Sequence, residues 1–100
     1  MRLSDETLRG KTVIGADGQA IGEVSAIFLE AETWRVESLQ VRLRREVADL
    51  LGASRSMFRA GKLEIAIGHV QSVGDALVLS VDVGMLRRTL PGEDEPAPSH

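Results

Sequence analysis

The sequence predicts a mainly β fold: a small, strongly bent antiparallel β-barrel of about six strands, with one or two short helices. Three observations predict it. Short aliphatic and β-branched runs alternate with polar residues at the two-residue period of strands. Glycine-containing turns punctuate those runs, above all Asp17-Gly18. Two of the runs also change phase midway, the mark of the β-bulges that coil a sheet toward closure.

Residues 1–8 are a polar lead-in, and Ser4-Asp5-Glu6-Thr7 reads as a turn. The first strand is 11–14. Asp17-Gly18 then supplies the positive φ angles of a tight hairpin turn. The second strand is 20–29, with Val24, Ala26 and Phe28 on one face and Ile21, Ile27 and Leu29 on the other. Gly22 stands where this strand can kink. After a turn at 30–33, the third strand spans 34–43. Its apolar set shifts from Trp34 and Val36 to Leu39, Val41 and Leu43. At 45–51 the period changes. Val47, Leu50 and Leu51 recur at helical spacing, and Gly52 stands where a C-terminal cap would.

Residues 53–61 form a loop holding Met57 and Phe58. Strands follow at 62–67, 69–73 and 76–81, the last two joined by a Gly74-Asp75 turn. Asp82 can cap a final helix at 83–90, in which Val83, Leu86 and Leu90 share a stripe and Gly84 is a weak point. Residues 91–100 hold three prolines and three consecutive acids, and read as a disordered tail. The expectation is one domain over 1–90 and a tail over 91–100.

A chain of 100 residues supports one modest core. With one Trp, two Phe and no Tyr, that core is aliphatic. The absence of Cys excludes a disulfide framework, a thiolate nucleophile and a zinc–thiolate site. No apolar run approaches the roughly 18 residues of a membrane span, and no signal-peptide pattern opens the chain. These features predict a cytoplasmic protein. Residues 1–90 carry twelve acids and twelve bases, so the net −3 comes from Glu93, Asp94 and Glu95. Within that neutral body, 42–62 has four excess bases and 1–41 three excess acids. Opposed patches suit self-association or a protein partner better than a nucleic-acid duplex.

Catalytic and cofactor motifs fail on context. Gly10-Lys11-Thr12 resembles the end of a phosphate-binding loop, but Asp5 stands where its first glycine belongs, and a strand follows instead of a helix. Gly15, Gly18 and Gly22 precede no helix N-terminus, so they make no dinucleotide fingerprint. His69 has no partner in any linear motif to orient it as a base. Glu30/Glu32 and Asp5/Glu6 lie in turns, where solvation accounts for them. No metal-ligand spacing occurs. No catalytic residue, cofactor or metal is expected.

The chain resembles the PRC-barrel domain family. The residues that carry the resemblance are Gly10-Lys-Thr-Val-Ile-Gly15, the Asp17-Gly18 turn, Ile21-Gly22-Glu23-Val24, Leu63-Glu-Ile-Ala-Ile67 and the run from Val70 to Leu79. They cover roughly residues 8–82. The resemblance implies a barrel of about six strands and a scaffold shared across roles more than a chemistry. Its members include the cytoplasmic domain of the photosynthetic reaction-centre H subunit, a domain of a ribosome maturation factor, and stand-alone small proteins, some with adaptor roles. By length, the stand-alone class fits.

The candidate interface lies in the middle segment. Arg42, Arg44 and Arg45 form the strongest polar cluster, suited to bidentate contact with carboxylate or phosphate. Val47, Leu50 and Leu51 supply an apolar helix stripe. Met57 and Phe58, beside Arg59, either cover the barrel mouth or anchor a second subunit. The expectation is a non-enzymatic protein-interaction or adaptor module that self-associates as a homodimer through these residues. The alternative is an RNA-binding or ribosome-assembly accessory, for which the arginine cluster would contact phosphate.

Overall fold

The computed structural model describes residues 2–51 and 61–89. Helix α1 (Asp5–Leu8) precedes strands β1 (Thr12–Ile14), β2 (Ala20–Leu29) and β3 (Val36–Leu43). Helix α2 (Arg45–Leu51) follows, then β4 (Lys62–Ala66), a 3-10 turn (Ile67–His69), β5 (Val70–Val73), β6 (Leu77–Leu79) and helix α3 (Val83–Thr89). The six strands form one sheet in the order β4-β3-β2-β1-β6-β5. Mainly β architecture with six strands is thus the observed fold. Among the described residues, no helix is long and apolar enough to cross a membrane.

Two features of the sheet depart from the expected antiparallel barrel. The pairing of β1 with β6 is parallel, Val13 opposite Leu77 and Ile14 opposite Val78. Alternation along a strand encodes its faces, not the direction of a partner more than sixty residues away. The hydrogen-bonded sheet is also not closed. β4 and β5 are its two edges, although only the Ile67–His69 turn separates them in the chain. The sheet curls until its edges meet at that corner.

The curl comes from bulges. Register shifts fall between Val13 and Ile14, between Val24 and Ala26, between Phe28 and Leu29, and between Val70 and Ser72. The extra residue at Ser25 is the phase slip expected in β2. Val24 pairs with Val41 and Ile27 with Leu39, so after the slip Ile27 is partly buried against the core and Leu29, still 48% exposed, lines a groove that Phe28 does not reach. A second extra residue, Glu37, lets Val36 lie opposite Leu29. These slips increase local twist and bend each strand.

Local chemistry sets the ends of several elements. At the first hairpin Gly18 alone has positive φ, 87°, and its N–H donates to the Gly15 carbonyl at 2.9 Å. Asp17 instead accepts from the Gln19 N–H, so the turn is longer than a two-residue Asp-Gly hairpin. The expected Ser4–Thr7 turn is a one-turn helix. Ser4 Oγ accepts from the Thr7 N–H, and Thr7 Oγ1 accepts from the Ser4 N–H, a reciprocal cap. This makes three short α-helices among the described residues, where one or two were expected. Asp82 caps α3 as expected, accepting from the Met85 N–H at 2.8 Å. The strand expected at 62–67 ends at Ala66, where Ile67 enters the 3-10 turn.

One apolar cluster fills the curl. Val13, Val41, Leu63, Ile65, Leu77 and Leu79 are fully buried at its heart. Val47, Ala48 and Leu51 of α2 join it, as do Val83 and Leu86 of α3, and the two helices pack against each other.

Candidate functional site

The residues expected at an interface separate into three groups. Arg42, Arg44 and Arg45 are exposed at the α2 end of β3. Arg42 pairs with Glu23 across the ladder at 3.9 Å, and both side chains are largely exposed, so the pair adds little stability. Val47 and Leu51 are buried in the chain's own core, which removes them from any surface; only Leu50, 53% exposed, remains of the helix stripe. The reason is that α2 lays its Val47–Ala48–Leu51 face on the sheet and α3, so the helix already has a surface to cover. Met57, Phe58 and Arg59 lie outside the described residues. So does the tail expected over 91–100.

The structure also forms a site that the sequence reading missed. At the far end of the sheet an apolar groove of about 540 Å³ opens to solvent. The Ser25 bulge delivers Ile27 and Leu29 to it, and the Glu37 bulge delivers Val36 beside Leu39. The 3-10 turn contributes Ile67, where a continued strand would have run past. Val70, Val73 and Leu77 form the opposite wall. The lead-in flanks the opening with Leu3 and Leu8, held by the reciprocal Ser4–Thr7 cap. Leu3, Leu29 and Ile67 are large apolar side chains left between 40% and 48% exposed. Ser4 and Asp5 are the polar members of the lining, and Asp5 is engaged by Arg9 at 3.2 Å.

Above the groove stands the β2–β3 hairpin, residues 30–35. Glu30 organises it. Its carboxylate accepts from the Glu32 and Thr33 N–H groups at 2.8 and 2.9 Å, and its carbonyl accepts from the Trp34 N–H at 2.8 Å. Trp34 was expected to begin the third strand. It instead sits in the turn with φ of 63°, the left-handed region that a bulky side chain rarely occupies, and is 77% exposed. A readable signal existed: an exposed turn rarely carries a tryptophan without a reason.

A family model of the PRC-barrel domain matches residues 2–86. The chain belongs to the PRC-barrel family. The match is wider than the motifs alone indicated, taking in α1 and most of α3. No curated protein matches the chain significantly. In this PRC-barrel the described residues contain no cluster of three or more His, Cys, Asp or Glu side chains able to hold a metal ion. His69 is half-buried in the 3-10 turn, where its carbonyl accepts from the Ser80 N–H. What the groove offers is apolar area with a polar margin, a surface for binding.

Proposed function

We propose that this PRC-barrel is a non-enzymatic protein-interaction module, an adaptor, that holds a partner at the open mouth of its sheet. The observation that carries the reading is the groove itself. Leu3, Leu29 and Ile67 leave a partly exposed apolar margin to it, and the β2–β3 hairpin that joins the lining residues Leu29 and Val36 carries the exposed Trp34. Exposed apolar patches rimmed by polar residues mark interaction sites, and buried aromatics are the strongest interface anchors. The test is recovery of a partner from nuclease-treated native lysate. The intact protein should retain it, and a Leu29→Ser/Ile67→Ser variant should lose it while still folding. Recovery that survives both substitutions, or that nuclease abolishes, overturns the reading.

Self-association remains part of the proposal in a narrower form. With Val47 and Leu51 in the core, the surface left for a homodimer among the described residues is Leu50 with the three arginines, and Met57, Phe58 and Arg59 stay part of the proposal. A second reading, RNA contact, is favoured by that same exposed cluster of Arg42, Arg44 and Arg45. A steep fall of RNA affinity with salt is its signature.

A further inference from the structure

Resting on the reading of the mouth as a partner site, we infer that the segment it holds is both apolar and positively charged: a basic amphipathic stretch of another protein. Two independent observations lead there. The first is charge. Three of the segments around the groove carry acids, while the 3-10 turn, β5 and β6 that line its other wall carry none. The lead-in and α1 bring Asp5 and Glu6, the hairpin brings Glu30 and Glu32, and Glu37 follows at the start of β3. The β5–β6 turn, between the lining residues Val73 and Leu77, brings Asp75. The same elements hold only Arg2, Arg9 and Arg35 in return, and Arg9 is engaged by Asp5. The bases of the sheet gather at the other end of β3, at Arg42, Arg44, Arg45 and Lys62. Glu23, Glu46 and Asp49 offset most of that charge, so the far end is close to neutral and the excess of acids lies at the apolar mouth.

The second observation is Trp34. Its backbone is held in a conformation unfavourable for a bulky L-residue, and its ring stands in solvent at the hairpin tip. Strain of this kind marks functional positions. An indole face beside acidic residues is a site for a lysine or arginine side chain, which it attracts through its quadrupole while the acids attract it through charge. Leu29 and Ile67 would take the apolar residues of the same segment. The acidic rim disfavours the other macromolecules that an exposed apolar mouth could meet: an anionic membrane surface and a nucleic acid are both repelled by it.

Trp34 is the single Trp of the chain, so its emission reports the hairpin tip directly. Two synthetic peptides lacking Trp are titrated against the full chain. They share one helical apolar pattern, and one carries lysines where the other carries glutamates. The lysine peptide should shift Trp34 emission to the blue and bind at least about tenfold more tightly than its acidic twin, the difference collapsing as salt is raised to about 0.5 M. Glu32→Lys/Glu37→Lys should erase or reverse that preference, and Leu29→Ser should weaken the lysine peptide about tenfold with thermal unfolding unchanged. If both peptides bind equally and Leu29→Ser weakens both, the mouth is a docking site but its partner is not basic, and this inference falls alone. If neither binds, or Leu29→Ser changes nothing, the mouth reading falls with it. Preferential binding to vesicles of phosphatidylglycerol over the lysine peptide likewise overturns the assignment to a protein segment.

Discussion

Gly22 lies so close to Arg42 that a β-carbon built on it would stand 2.1 Å from the Arg42 carbonyl oxygen and 3.0 Å from the Leu43 Cα. Both obstacles are backbone of the neighbouring strand, held in the β2–β3 ladder with Gly22 opposite Leu43. Neither can rotate away as a side-chain tip can.

Gly22→Ala should therefore destabilise the fold by about 2–4 kcal/mol, at the upper end of overpacking effects. Urea unfolding measures it. Gly68→Ala is the matched control, since a β-carbon there meets nothing within 4 Å. Its stability should lie within about 0.5 kcal/mol of the parent. Equal stability of the two variants would show that β2 and β3 separate more easily than this geometry allows.

Trp34 gives a prediction of opposite sign. Trp34→Gly relieves a left-handed backbone that disfavours a side chain, and should raise stability by about 0.5–1 kcal/mol. The same substitution should weaken binding at the mouth. A lower melting temperature would mean that the indole contributes packing that its exposure conceals.

The two faces of α2 should respond differently. Leu51→Ala removes a core side chain and should cost about 2–5 kcal/mol, with Val47→Ala at or below the lower end of that range. Leu50→Ala should change stability by less than about 0.5 kcal/mol. If Leu50 is an interface residue of a dimer, Leu50→Asp yields a folded monomer in sedimentation across a concentration series. A parent protein that is already monomeric at high concentration excludes that dimer.

The cap of α1 links a local bond to the margin of the groove. Ser4→Ala removes the acceptor for the Thr7 N–H and should cost about 1 kcal/mol of helix stability. Because Leu3 precedes that helix and Leu8 closes it, and both line the groove, amide exchange in the lead-in should rise and affinity for the lysine peptide should fall. Unchanged exchange would show that Leu8 alone anchors the segment.

Much of the fold was legible because its signals are local. The helical spacing of Val47 and Leu51 gave α2 its bounds, and Asp82 announced α3. The alternation of Leu63 and Ile65 against Glu64 gave β4. The parallel contact of Val13 with Leu77 was not legible, because no local pattern records which distant strand lies alongside. The site failed for a related reason. It is assembled by displacement: one bulge at Ser25 brings Leu29 rather than Phe28 to the groove, and a turn at Ile67 replaces a strand residue. Each shifts side chains by one position, and a one-residue shift reverses inside and outside. Leu50 was legible as part of the helix, but its separation from Val47 and Leu51 depends on where the sheet and α3 lie.

The short Ile67–His69 link between the two edge strands has a mechanical consequence. β4 and β5 are tethered by covalent chain at one corner, yet no ladder bonds join them along their length. The seam behaves as a collar pinned at a single point. Widening it away from the pin breaks no backbone hydrogen bond of the sheet, whereas widening any other pair of strands breaks several. Ile67 stands on the pin and Val70 and Val73 on the free side, so this wall of the groove can widen at less cost than the β2–β3 wall, which its ladder holds.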